Sequence, residues 1–197
     1  ARTIGIGTDL ELAVRTVFEG TPTPTDVGLA RGNYFINVAG CGFDAVVAER
    51  VNAGYKNLSG TAAYIVGVMD TLRSFEPADM TITVDGETTR VKAMMCSVAN
   101  CKTYGGGMKI APNADITDGY FDICILKDAS KLEFVMAFPK VFSGRHINHP
   151  KVMMLKGKEV TVESSRPMPV LMDGDIFGTT PIKFEMRAQA IKLMMPV

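Results

Sequence analysis

The apolar residues of this chain change their repeat near Met80. Before it, Ala62, Ile65, Val66, Met69 and Leu72 recur at helical spacing and predict a helix from Thr61 to Phe75, with Ser59 and Gly60 as start signals. After it, Thr81-Ile82-Thr83-Val84, the dipeptide Asp85-Gly86 and the run Thr89 to Val98 follow period two. Asp-Gly supplies the positive φ angles of a tight hairpin turn, so these residues predict paired antiparallel strands. The same period predicts strands over Tyr120 to Leu126, Val170 to Met172, Ile182 to Met186 and Ala190 to Met194. A second hairpin is expected from Lys151 to Leu155 and Val160 to Val162 around Lys156-Gly157-Lys158, and a helix over Lys131 to Phe142.

Upstream, Thr8-Asp9 offers an N-cap for a helix to Phe18 that Gly20 closes, and the prolines of Thr21-Pro22-Thr23-Pro24-Thr25 break the pattern. Asn33 to Val38 reads as a strand, Gly40-Cys41-Gly42 as a turn, and Phe43 to about Ala53 as a helix. Many short strands with a few helices between them give an α+β class, mostly antiparallel, built as a β-sandwich.

With 197 residues, 21 Lys+Arg against 21 Asp+Glu and 47% hydrophobic residues, the chain buries a real core and lacks the basic excess of a nucleic-acid binder. No apolar run reaches the length of a membrane span, and Ala1 to Gly7 has no signal-peptide pattern. Cys41, Cys96, Cys101 and Cys124 lie mostly inside apolar runs, which suggests reduced thiols and a cytoplasmic setting.

Several polar segments carry candidate chemistry. Gly105-Gly106-Gly107 lets backbone amides approach an anion closely, or is a turn between strands. Asp115 and Asp118, with nearby carbonyls, suit a hard cation such as Mg²⁺, and Asp118-Gly119 equally suits a turn. In Asp173-Gly174-Asp175, two carboxylates at the end of an apolar run offer a general base and an orienting or metal-binding partner; a hairpin turn uses the same residues. His146 and His149 lack the further ligands a zinc site needs and read as loop residues. The 13 methionines are core filler that also suits a pocket for variable acyl chains.

Taken in order, Ala1-Arg2-Thr3-Ile4-Gly5-Ile6-Gly7, Asn37-Val38-Ala39-Gly40-Cys41-Gly42-Phe43-Asp44-Ala45, Gly60-Thr61-Ala62-Ala63-Tyr64, the block from Gly105-Gly106-Gly107 to Asp118-Gly119-Tyr120-Phe121-Asp122, and Asp173-Gly174-Asp175 resemble the soluble bacterial diacylglycerol kinase and lipid kinase family. That family includes sphingosine kinases and is distantly similar to NAD kinases. The resemblance implies a two-domain kinase in which this chain is the C-terminal β-sandwich. Residues 1–20 would be a connecting helix after an N-terminal nucleotide domain, and residues 21–197 the lipid-binding and catalytic domain. It implies ATP, held mainly by the N-terminal domain, and Mg²⁺ at Asp115, Asp118 and the carbonyl of Tyr120. Asp173 and Asp175 match the family's Asp-Gly-Glu, one acid of which removes the proton from the lipid hydroxyl; Asp175 is one methylene shorter than that Glu. Expected partners are a lipid substrate, a transiently contacted membrane surface and a second copy paired at a sheet edge. Two other readings share the fold: a lipid-binding domain without catalysis, and phosphorylation of a soluble nucleotide as in NAD kinases.

Overall fold

The computed structural model describes residues 2–7, 9–54 and 60–196. Ala1 and the expected start signals Thr8 and Ser59 lie outside the described residues.

Asp9 caps α1 (Leu10–Glu19), its carboxylate accepting from the Leu12 amide at 3.0 Å. The chain then enters β1 (Thr21–Ala30), which pairs antiparallel with the last strand, β11 (Ile182–Met195). The proline segment is therefore a strand and not only a helix stop. Pro22 and Pro24 are two residues apart, so both lack an amide on the same edge. Among the described residues no strand pairs with that edge there, because β2 (Asn33–Phe35) pairs only with Gly28 to Ala30.

The expected strand Asn33 to Val38 breaks at Ile36-Asn37, and β3 (Val38–Gly42) follows, fully buried. Gly40-Cys41-Gly42 is thus the inner end of a central strand and not a turn. A Cβ at Gly42 would lie 2.3 Å from the Met94 carbonyl, so only glycine lets β3 approach its neighbour this closely. Next come α2 (Phe43–Asn52), α3 (Gly60–Ser74), β4 (Ala78–Val84) and β5 (Glu87–Ala99). The hairpin turn at Asp85 and Gly86 has φ of 48° and 91°, as the dipeptide predicts.

β6 (Phe121–Lys127) leads to α4 (Lys131–Ala137), α5 (Lys140–Ser143) and a 3₁₀ turn at Arg145–Asn148. The single helix expected over Lys131 to Phe142 is divided at Phe138-Pro139, where proline cannot continue the ladder. β7 (Val152–Gly157), β8 (Glu159–Ser164), β9 (Pro169–Met172) and β10 (Asp175–Thr179) complete the chain with β11. The two strands expected after Ile182 form one, bent at Gln189, where φ is 52°.

All strand pairs are antiparallel, in the order β10-β9-β3-β5-β4-β8-β11-β1-β2. β5 divides the sheet: Glu87 to Ala93 pair with β4, while Met95 to Ala99 lie between β3 and β6, and β7 follows β6. β7 and β8 consequently belong to different parts of the sheet, and the hairpin expected around Lys156-Gly157-Lys158 does not form. The Asp85 carboxylate instead takes the amides of Lys158 and Glu159, at 3.0 and 2.8 Å, and turns the chain across to β4.

The fork leaves two cores. Between the sheet layers, Phe35 stacks on Phe121 at 5.6 Å and meets Phe184 edge-on at 6.0 Å. Truncating one such ring costs about 3–5 kcal/mol. Between the sheet and helices, Phe43 packs on Phe134 and Phe75 at 4.8 and 5.3 Å. All four cysteines are buried and unpaired, as expected. Among the described residues no helix is long and apolar enough to cross a membrane.

Candidate active site

Asp173 and Gly174 form the tight turn between β9 and β10, with φ of 49° and 104°. The Asp173 carboxylate faces back toward the break between β2 and β3. It accepts the amides of Ile36, Asn37 and Val38 at 2.7, 2.9 and 3.1 Å. Its own amide donates to the Val38 carbonyl at 3.0 Å. The two open readings of Asp173-Gly174-Asp175 therefore meet in one place: it is a hairpin turn, and Asp173 uses its carboxylate to organise the adjacent chain. Asp175 opens β10, its backbone paired with Met172, and its exposed carboxylate has no hydrogen-bond partner among the described residues.

A cleft beside Asp173 and Gly174 shares Asp44, Tyr64 and Tyr104 with a second, narrow apolar pocket. Met95, Met108, Phe134 and Phe138 line that pocket beneath α4. Asp44 is buried at the start of α2, accepting from Ser97 Oγ at 3.0 Å and from the Ala45 amide at 2.9 Å. Burial pushes its carboxyl up to about 6, against the pull of those hydrogen bonds. Burial, and then the Asp44 charge, push the Tyr64 phenol up against the pull of its hydrogen bond with Tyr104, while burial, then Tyr64 and Asp44, push up the phenol of Tyr104. Neither Asp44 nor these tyrosines was singled out as a site residue by sequence. They lie far apart in the chain, and the only signal was that Asp44 and Tyr64 fall within the segments carrying the family resemblance.

Asp115 and Asp118 occupy the loop before β6. Asp115 accepts from the amide and hydroxyl of Thr117 at 2.9 and 2.7 Å, and the Thr117 hydroxyl holds its carboxyl below the usual range. Asp118 accepts the Tyr120 amide at 3.0 Å and pairs with Lys156 Nζ at 2.7 Å. Lys156 and Lys158 both lie over the Tyr120 ring. Lys156 also feels Asp122 and Asp115, and Asp122 Oδ2 is buried without a partner among the described residues. Asp118 alone thus contacts the ammonium group, with Asp122 and Asp115 acting on its charge from farther away.

Asp26, unmentioned by any motif, ties this loop to the rest. It sits fully buried at the bulge in β1, where the register with β11 shifts. Its two carboxylate oxygens accept the amides of Gly119 and Gln189, each at 2.7 Å. Asn100 Nδ2 donates to the Asp26 carbonyl at 2.9 Å and to the Ile36 carbonyl at 2.8 Å. A hydrogen-bonded path therefore runs from the Asp173 turn, through Ile36, Asn100 and Asp26, to the loop of Asp118 and Gly119.

Gly105, Gly106 and Gly107 all have positive φ and close a loop in which Tyr104 pairs with Met108. Gly105 borders the cleft at Asp173. His146 and His149 line the apolar pocket; His146 Nε2 lies 3.1 Å from the Ile110 carbonyl. Among the described residues no His, Cys, Asp and Glu group has the arrangement of a multi-residue metal centre.

Comparison with known proteins gives a consistent result. The chain is 34% identical over 197 residues to a diacylglycerol kinase of Bacillus subtilis (strain 168), covering all of this chain and 65% of that protein. It is 30% identical over 195 residues to a diacylglycerol kinase of Staphylococcus carnosus (strain TM300), covering 99% of this chain and 64% of that protein. The chain thus spans just under two thirds of the length of these relatives. A crystal structure of a diacylglycerol kinase from Bacillus anthracis str. Sterne superposes with a TM-score of 0.71 at 21% identity, covering 98% of this chain and 61% of that one. At that identity the likeness concerns the fold, a curled, mostly antiparallel β-sandwich with flanking helices. Residues 37–195 match the YegS C-terminal NAD kinase beta sandwich-like domain, and the chain belongs to that family.

Proposed function

We propose that this chain is the lipid-binding and catalytic part of an ATP-dependent lipid kinase, acting on diacylglycerol or a similar acyl-bearing alcohol. The observation that carries this reading is the wall of Asp44, Tyr64 and Tyr104 shared by an apolar pocket and the cleft at Asp173. An amphipathic alcohol fits such a pair of spaces: its acyl chain lies among Met95, Met108, Phe134 and Phe138, and its polar end meets the carboxylate and phenols. The names of the relatives, both called diacylglycerol kinase, support the same class of substrate.

Within this reading the two acids of the turn divide the work. Asp173 is a positioning residue, its carboxylate committed to three amides. Asp175, exposed and without such commitments, is the general base: it takes the proton as the lipid oxygen attacks the γ-phosphorus of ATP and the bond to ADP breaks. Mg²⁺ would be held by Asp115, Asp118 and the Tyr120 carbonyl, an all-oxygen set suited to a hard cation, and when bound it would supply positive charge. The cation already paired with Asp118, Lys156 Nζ at 2.7 Å, supports that fit. The path through Asp26 and Asn100 fixes the metal loop relative to the Asp173 turn.

The exposed apolar stripe of α1, with Leu10 and Phe18 at 76% and 81% exposure, fits the role of a connecting helix that packs on further polypeptide.

The test is phosphoryl transfer from ATP to 1,2-dioctanoylglycerol by the full-length gene product in the presence of Mg²⁺. The reading expects a phosphatidic acid product and a loss of about 100-fold or more for Asp175→Asn. No lipid product, or an unchanged rate in that variant, would refute it.

A further inference from the structure

The apolar pocket beneath α4 contains one imidazole that the chain leaves half satisfied. His146, in the 3₁₀ turn Arg145–Asn148, is 5% exposed and lines the pocket together with Ile110 and Cys124. Its Nε2 lies 3.1 Å from the Ile110 carbonyl and 4.0 Å from Cys124 Sγ. Its Nδ1 is buried without a hydrogen-bond partner among the described residues. His149, on the same wall, differs: its Nδ1 accepts the Lys151 amide at 3.2 Å.

The proton on His146 is fixed by its partner. A carbonyl oxygen only accepts, so Nε2 carries the hydrogen of the bond to Ile110. Burial lowers the imidazole pKa from its ordinary value, against the pull of that carbonyl, and the ring holds no second proton at neutral pH. Nδ1 is therefore a bare acceptor. A trapped water is a poor remedy, since it needs several polar partners and most of the pocket wall is aliphatic or aromatic.

We infer that the ligand supplies the missing donor: the preferred lipid of this pocket carries, besides the hydroxyl that is phosphorylated, an amide N–H or a chain hydroxyl that donates to His146 Nδ1. A lipid whose chains are joined only through esters brings acceptors to that position and leaves Nδ1 unpaired. Such a lipid, diacylglycerol included, still enters the pocket but binds more weakly, because a site built around a hydrogen bond discriminates against the analogue that lacks it. His146 is on this account a specificity-determining residue with no part in the proton transfer at the Asp173 turn. The inference rests on the lipid-kinase reading for the occupant of the pocket and adds the chemistry that selects among such lipids.

The test is binding of three matched lipids by the full-length gene product without ATP: 1,2-dioctanoylglycerol, the analogue with its 2-ester replaced by an amide, and the analogue with a hydroxyl on the 2-acyl chain. The amide and hydroxyl arms distinguish the two sources of the donor. At least one of these analogues is expected to bind about tenfold or more tightly than the diester. His146→Phe is expected to bind all three alike, and His146→Gln, which keeps a donor and an acceptor, to restore part of the preference. The parent protein gives a second readout that no variant disturbs. With ¹⁵N-labelled histidine, His146 Nδ1 is expected to resonate as an unprotonated nitrogen in the free protein and to move on addition of the preferred analogue, but not of the diester. Equal affinity of the parent for all three lipids, a preference that persists in His146→Phe, or a protonated Nδ1 in the free protein would overturn the inference. Binding of none of the three would refute the lipid-pocket reading and this inference with it, whereas equal binding of all three refutes this inference alone.

Discussion

Asn100 donates one amide group to two carbonyls, those of Asp26 at 2.9 Å and Ile36 at 2.8 Å, in the fully buried space between the acidic loop and the Asp173 turn. These segments are distant in sequence, and this side chain fixes their spacing. Replacing Asn100 by Ala would leave two carbonyls without that donor, at a cost of roughly 2–4 kcal/mol. Urea denaturation is expected to show that loss, and a loss under 1 kcal/mol would mean water or the backbone replaces the amide.

The two acids of the β9–β10 turn are expected to separate stability from activity. Asp173→Ala removes the acceptor of three amides and places alanine at a φ of 49°, for a loss of about 2–4 kcal/mol. Asp175→Ala touches no such contact and is expected to stay within about 0.5 kcal/mol of the parent while abolishing turnover of the full-length enzyme. Equal destabilisation by both would contradict the division of roles.

Asp44 gives the protein a pH signature. Its carboxyl titrates at about 6 when folded, against an ordinary value of 3.8, because burial disfavours the charge. Between those values the folded state binds a proton that the unfolded chain has lost. Its stabilising contribution is thus complete below about pH 4 and is lost as pH rises through about 6. The difference is on the order of 3 kcal/mol. Unfolding free energies measured from pH 4 to 7 should fall with pH in the parent relative to Asp44→Asn; parallel curves would remove the assignment.

The loop of Asp115, Asp118 and Tyr120 is expected to bind Mg²⁺ in competition with Lys156, whose ammonium lies 2.7 Å from Asp118. Lys156→Met removes the competitor and should tighten Mg²⁺ binding by about tenfold, close to 1.4 kcal/mol. Asp118→Asn should remove the calorimetric signal. A parent chain with no Mg²⁺ response, and a Lys156→Met variant equally silent, would exclude the loop as a cation site.

Local chemistry was legible in the sequence where one short segment decides the outcome. Asp85-Gly86 made its hairpin, Asp9 capped its helix, and the alternation in β4 to β6 predicted an antiparallel sandwich. The misreadings occur where distant segments decide. Val160 to Val162 alternate like a hairpin arm, but β8 finds its partners in β4 and β11, and Asp85 holds the turn from some 70 residues away. Gly40-Cys41-Gly42 resembles a turn until the close approach of β5 explains both glycines in a strand. The candidate site divides the same way. Asp173, Asp175, Asp115 and Asp118 stood out as carboxylates beside turns, whereas Asp26, Asp44 and Asn100 gain their significance only from burial and from partners that folding brings to them.

The proposed function requires an acyl-bearing alcohol in the pocket beneath α4, its polar end toward Asp44. Methyl resonances of the methionines test it directly in the chain itself, titrated with 1,2-dioctanoylglycerol. Met95 and Met108 line the pocket, while Met80 lies in the core between the sheet layers and Met186 packs against that core. Saturable shifts are expected at Met95 and Met108, with Met80 and Met186 unmoved. Shifts absent from Met95 and Met108, or spread equally over all four, would contradict it.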